Sequence, residues 1–203
     1  VVQADKTILQ KKSRELEIIE VLKNALANDE FFVVYQPIFS VEKQKFTTAE
    51  ALLRLKSKKL GIIGPDEFIP LAEQNGLILP IGEFVIKTVC EFISKERIWE
   101  KGIEYIHVNL SAIQCMQENL HQQLIEIMDS YNLEYKYLNF EVTETVAVAS
   151  SDILKNNMNK LIEKSIKFSL DDYGTGFSNI YSLIRYPFHT IKIDKSIIWA
   201  SMK

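Results

Sequence analysis

Residues 168–180 read FSLDDYGTGFSNI. Strand formers run up to Leu170, two adjacent carboxylates follow at Asp171 and Asp172, and two of the chain's seven glycines, Gly174 and Gly176, open the loop beyond. A strand that loses its apolar character only in its last residues, then passes through a glycine-rich loop into a helix-like segment at 177–184, is half of a parallel βαβ unit. Like charges side by side at a strand end cost free energy when desolvated, because each raises the pKa of the other. Something must offset that cost.

The rest of the chain repeats the alternation. FFVVYQPIF reads as a strand, with Pro37 marking a strand end or an edge, and FTTAEALLRL reads as a second strand, although its Ala and Leu content would fit a helix nearly as well. GIIGPDEFIPLAEQNGL carries Gly61, Gly64, Pro65 and Pro70 as punctuation around a short helix that starts at Pro65. GEFVIKTVCEFISKE predicts a helix. The strand YIHVNLS, the helix ENLHQQLIEIMDSY, the strand LNFEVTE, the helix SDILKNNMNKLIEKS capped at Ser151 or Asp152, and the strands IKFSLDD and TIKID complete the order. Before them, Leu9, Leu16, Ile19, Leu22 and Leu26 fall near helical spacing and predict an amphipathic helix over 8–27. Residues 1–27 therefore form a helix or linker, and 28–203 a single α/β domain.

Bulk properties narrow the function. The 203 residues are 47% hydrophobic and 25% charged with a formal net charge of −3, values of a globular chain with material for a large core. A mildly acidic balance provides no field for a polyanion, so long nucleic acid is excluded as a partner. Cys90 and Cys115 lack CxxC spacing, and Cys90 lies on the apolar face of its helix. A reducing, cytoplasmic setting is expected, with an upstream membrane anchor left open. No stretch is apolar enough to span a bilayer.

Polar residues gather where the strands end: Asn109, Glu141 and Glu144, Asp171 and Asp172, and Lys192. In parallel sheets and barrels those ends form the ligand-binding face. Strand alternation also puts Glu50 and Arg54 on one face of their strand, and Ser169 and Asp171 on one face of theirs. Oxygen donors without cysteine or convergent histidine suit Mg²⁺ or Mn²⁺. Divalent cations between them would let the paired aspartates stay ionised together. His107 shares the parity of Asn109 and reads as a core histidine, His121 as helix surface and His189 as a loop residue.

With these residues goes a resemblance. EALLR at 50–54, YQPI at 35–38, PDEFIPLAE at 65–73, VNLS at 108–111, EVTET at 141–145, DDYGTGFSN at 171–179 and KID at 192–194 resemble, in order and spacing, the EAL family of cyclic di-GMP phosphodiesterases. The resemblance implies a modified TIM (β/α)8 barrel with an antiparallel first strand, and hydrolysis of cyclic di-GMP to linear pGpG. It implies Glu50, Asn109, Glu141 and Asp171 as metal ligands and Asp172 as a holder of a second ion. Lys192 would orient the attacking water, Arg54 and Gln36 would contact substrate, and Glu144 would anchor the glycine-rich loop. A homodimer and an upstream GGDEF or sensory domain are implied as well. A complete barrel takes about 250 residues, so the last two strands, and a glutamate the family uses as base or second-metal ligand, are expected to be missing from these 203. The alternative is a catalytically inactive EAL module that binds cyclic di-GMP or a protein.

Overall fold

The computed structural model describes residues 6–149, 152–174 and 185–202. Its elements are α1 (Lys6–Ala25), β1 (Phe31–Ser40), β2 (Lys45–Ser57), β3 (Gly61–Ile63), α2 (Pro65–Gln74), α3 (Ile78–Glu96), β4 (Tyr105–Asn109), α4 (Ala112–Cys115) and α5 (Leu120–Ser130). Then come β5 (Leu138–Thr143), α6 (Glu144–Ala149), α7 (Asp152–Ile162), β6 (Lys167–Tyr173), β7 (Thr190–Ile193) and α8 (Lys195–Ser201). One mixed sheet runs β1-β2-β4-β5-β6-β7, with β3 paired to β2. β1 is antiparallel to β2, and every pair from β2 through β4, β5 and β6 to β7 is parallel. This is the α/β architecture with an antiparallel first strand that the sequence implies. Among the described residues the sheet is open, ending at β1 and β7.

Each helix buries the stripe its spacing dictates. On α3 the buried positions are Ile78, Ile81, Val85, Ile86, Val89, Cys90 and Ile93, an i, i+3, i+4 series facing the sheet. Burial there pushes the Cys90 thiol up to about 12, and the same cause acts on Cys115 to the same value. Both side chains are core fillers. The main core joins this stripe to β4, β5 and β6 and to the inner faces of α5 and α7, through Val108, Phe140, Phe168, Leu124 and Met158. A second core lies under α1 and α2, built from Ile18, Leu22, Phe31, Leu55, Ile63 and Phe68.

Several sequence expectations change. The α1 stripe is Ile18, Val21, Leu22 and Ala25, while Leu9 and Leu16 are exposed; the 18/21/22/25 spacing is the tighter helical match, and it prevails. Gly61–Ile63, read as punctuation, forms a short strand closing a hairpin on β2, with Gly61 at φ +73° in the left-handed region that glycine enters without strain. α3 begins at Ile78, four residues before the expected Gly82. α4 was not anticipated; its capping box pairs the Ser111 hydroxyl with Gln114 N and the Gln114 side chain with Ser111 N. His121 is half-buried, its Nδ1 2.7 Å from Asn157 Oδ1. Pro37 sits within β1, an edge strand, where a missing N–H costs no ladder bond if it faces outward. Gly176, Ser151 and the helix expected at 177–184 lie outside the described residues.

Candidate active site at the strand ends

Five mutually parallel strands deliver side chains to one rim. Asn109 is the last residue of β4, Glu141 and Asp171 lie near the ends of β5 and β6, Lys192 lies on β7, and Glu50 lies one residue before β2 stops pairing with β4. Asn109 Nδ2 donates to Glu50 Oε1 at 2.8 Å. The Lys192 ammonium donates to Glu141 Oε2 at 2.7 Å and Glu50 Oε2 at 3.1 Å, and stands 3.3 Å from Asp171 Oδ2. Oxygens of Glu50, Glu141 and Asp171 all lie within 4.8 Å of one another.

Burial alone would depress the Lys192 pKa. The hydrogen bond and charge of Glu141, with the fields of Asp171 and Glu50, outweigh it and hold the group above the ordinary lysine value. Asp172 is displaced the other way from a carboxylate's comfort: burial first, then Asp171 and Asp194, raise its pKa.

Regular alternation would point Asp172 away from Asp171. The structure brings both to one cleft. Leu170 pairs with Ile191 but Tyr173 with Ile193, so β6 spends one extra residue against β7, and Asp172 takes φ +55°. Such a bulge re-aims a side chain beside a site, and aspartate is among the non-glycine residues that tolerate this backbone best. Glu144 opens α6, is buried, and accepts a 3.0 Å hydrogen bond from Gly174 N at the start of the glycine-rich loop.

The cleft, ≈ 630 Å³, is walled by Glu50, Arg54, Asn109, Asp171 and Asp172, with Asp66 and Glu73 of α2 opposite. Arg54 donates Nη1–H to Leu53 O at 2.9 Å. Gln36 is exposed on β1, directly across from Glu50 in the ladder, and is not part of the wall. Sequence reasoning missed the wall residues Gly82 and Gln114. A Cβ at Gly82 would lie 2.2 Å from Gln114 Nε2, so α3 and α4 meet there only through glycine.

The donor set fits a divalent cation. Three carboxylates, Glu50, Glu141 and Asp171, face one ammonium, which leaves the cluster with an excess of negative charge. Hard oxygen donors at these separations suit a small hard ion.

Fold and rim together define an α/β domain whose open, mostly parallel sheet gathers carboxylates in a cleft at its strand ends. The chain belongs to the EAL domain family, whose sequence model matches residues 19–203. It is 39% identical over 194 residues to the signaling protein YkoW of Bacillus subtilis, covering 95% of this chain and 24% of that protein. It is 33% identical over 178 residues to the cyclic di-GMP phosphodiesterase PdeR of Escherichia coli, covering 87% and 26%. The solved structure of the PaMucR phosphodiesterase in complex with c-di-GMP superposes with a TM-score of 0.82 at 33% identity, over 92% of this chain and 75% of that one. The chain thus spans about a quarter of the length of the curated relatives.

Proposed function

We propose that this chain is the catalytic domain of a divalent-metal-dependent phosphodiesterase that hydrolyses cyclic di-GMP to linear pGpG. The observation that carries the reading is the convergence of Glu50, Glu141 and Asp171 within 4.8 Å, beside Asn109 and Lys192, in a cleft that Arg54 also lines. The kinship with PdeR and with the PaMucR complex supplies the substrate.

Glu50, Asn109, Glu141 and Asp171 would hold one ion, and Asp172 would help hold a second, as Mg²⁺ or Mn²⁺. When bound, the ions polarise the scissile phosphate and lower the pKa of a water. The chain's own residues do the rest. Lys192, kept cationic by its three carboxylates, has N–H donors to orient the attacking water. Arg54 stands on the wall, where its planar fork suits two phosphate oxygens at once. Gln36, on the neighbouring edge strand, contacts the bound nucleotide. Glu144, through Gly174 N, fixes the loop that carries the paired aspartates' neighbours. The protein would act in the cytoplasm as a homodimer in bacterial second-messenger signalling.

The assay uses the whole protein, since the relatives are about four times longer than this chain. Cyclic di-GMP is incubated with Mg²⁺ or Mn²⁺ and the products are separated. Linear pGpG is expected, and it disappears on chelation. Binding of cyclic di-GMP without pGpG under either ion would instead establish the second reading, an inactive binding module. What favours that reading is the Lys192 ammonium, which already contacts all three acids.

A further inference from the structure

We propose that His107 is a positioning residue for Glu141: its imidazole holds one carboxylate oxygen so that the other is presented to the cation site. The inference rests on the divalent-ion reading above.

Glu141 divides its two oxygens. Oε2 faces the rim, 2.7 Å from Lys192 Nζ. Oε1 faces down into the sheet's inner layer, 2.7 Å from His107 Nδ1. Both side chains are at least 95% buried, and neither atom has another hydrogen-bond partner among the described residues. At 2.7 Å the two atoms are within hydrogen-bond range, and an adjustment of the Glu141 carboxylate would bring the oxygen into line with Nδ1–H. A carboxylate oxygen left bare at that depth would cost several times more than one satisfied by a donor.

The ring cannot wander. His107 lies mid-strand on β4, level with Glu50 on one side and Asn139 on the other. Tyr105 packs against it edge-on, with centroids 5.1 Å apart and planes at 61°. A histidine present only to fill volume would have no reason to aim a nitrogen at the one acid whose other oxygen enters the site. Groups that hold the far side of a metal ligand set the metal's affinity, by about 10–100-fold on removal.

The matched pair His107→Asn and His107→Leu tests this. Both lose the same ring volume, and they share one shape. Asparagine keeps an N–H donor on the γ carbon, where Nδ1 was attached; leucine has none. Mn²⁺ affinity is measured by calorimetry, and the bound ion by its paramagnetic resonance spectrum. His107→Leu is expected to weaken Mn²⁺ about 10–100-fold, with His107→Asn recovering most of that loss and the wild-type spectrum. Turnover of His107→Leu, if restored at saturating Mn²⁺, places the defect in ion binding. Equal Mn²⁺ affinities for Asn and Leu overturn the proposal, as does wild-type affinity in His107→Leu. Should the leucine variant not fold, His107→Phe replaces it with the same expectation. Wild-type protein that binds no Mn²⁺ overturns the metal reading itself, a result separable from failure of His107 alone.

Discussion

Lys192 and Asp172 show how opposite charges share the rim. The ammonium is the counter-ion of three carboxylates, and Lys192→Met leaves them to repel one another. Without divalent ion the variant should lose about 1.5–3 kcal/mol, the worth of hydrogen bonds to charged groups, read as a lower melting temperature in chelator. Its gain on adding Mn²⁺ should exceed the wild type's, because the ion then replaces the missing positive charge. A melting temperature in chelator equal to wild type would remove Lys192 from that role. Asp172 predicts the reverse sign. Its folded pKa is raised by burial and by Asp171 and Asp194, so the folded state binds more protons than the unfolded one between the ordinary aspartate value of 3.8 and the raised one. Stability is therefore lost as pH rises through that window. In chelator at neutral pH, Asp172→Asn should melt at or above the wild-type temperature, and the gap should close towards the acid end of a titration. The identities of these residues were legible in the sequence, since polar types at strand ends stand out against apolar runs. The division of labour between His107 and Glu141 was not: parity put His107 inside, but only distance reveals which acid it touches.

At the scale of elements, the bulge in β6 decides how two neighbouring acids face one cleft. Periodicity cannot foresee it, because the extra residue belongs to a pairing with β7 rather than to β6's own pattern. The backbone at Asp172, φ +55°, makes a discriminating pair of variants. Asp172→Gly should fold with near wild-type stability, since glycine enters the left-handed region freely. Asp172→Val should cost about 1–2 kcal/mol more, because its branched Cβ crowds the neighbouring carbonyl. Equal unfolding midpoints in urea for the two would mean the bulge is not a fixed feature. Similar limits hid α4 and β3: a four-residue helix and a three-residue strand carry too few positions for a period. The long helices and the order of parallel strands were readable because each buries a full stripe. At Gly82 the elements touch. Replacement by alanine would gain helix propensity of about 1 kcal/mol and lose it again by driving Gln114 from its capping box, and overpacking of this kind costs about 1–3 kcal/mol. The variant should show no net stabilisation by urea denaturation.

Across the whole molecule, the open question in the sequence was whether the first helix belongs to the domain. Its early turns look like a connector, and the family match begins only at residue 19. Ile18 is nonetheless 1% exposed and Leu22 3%, against 67% for Leu16. The second core they enter is tied to the first, because Leu53 of β2 and Phe84 of α3 pack against both. Arg14 Nε adds a 3.2 Å pairing to Glu67 of α2, an exposed contact of small worth. β2 serves both sides at once: Leu55 enters the second core, while Glu50 and Arg54 wall the cleft. A helix that merely linked domains could lose a methylene cluster without consequence. Ile18→Ala should instead cost about 2–5 kcal/mol, and Leu16→Ala should stay within about 0.5 kcal/mol of wild type. Because Leu53 and Phe84 couple the cores, the loss should lower the single calorimetric transition as a whole. A separate low-temperature transition in Ile18→Ala, with the main one unmoved, would mean that α1 and its core melt alone and that the frame of the site on β2 does not depend on them.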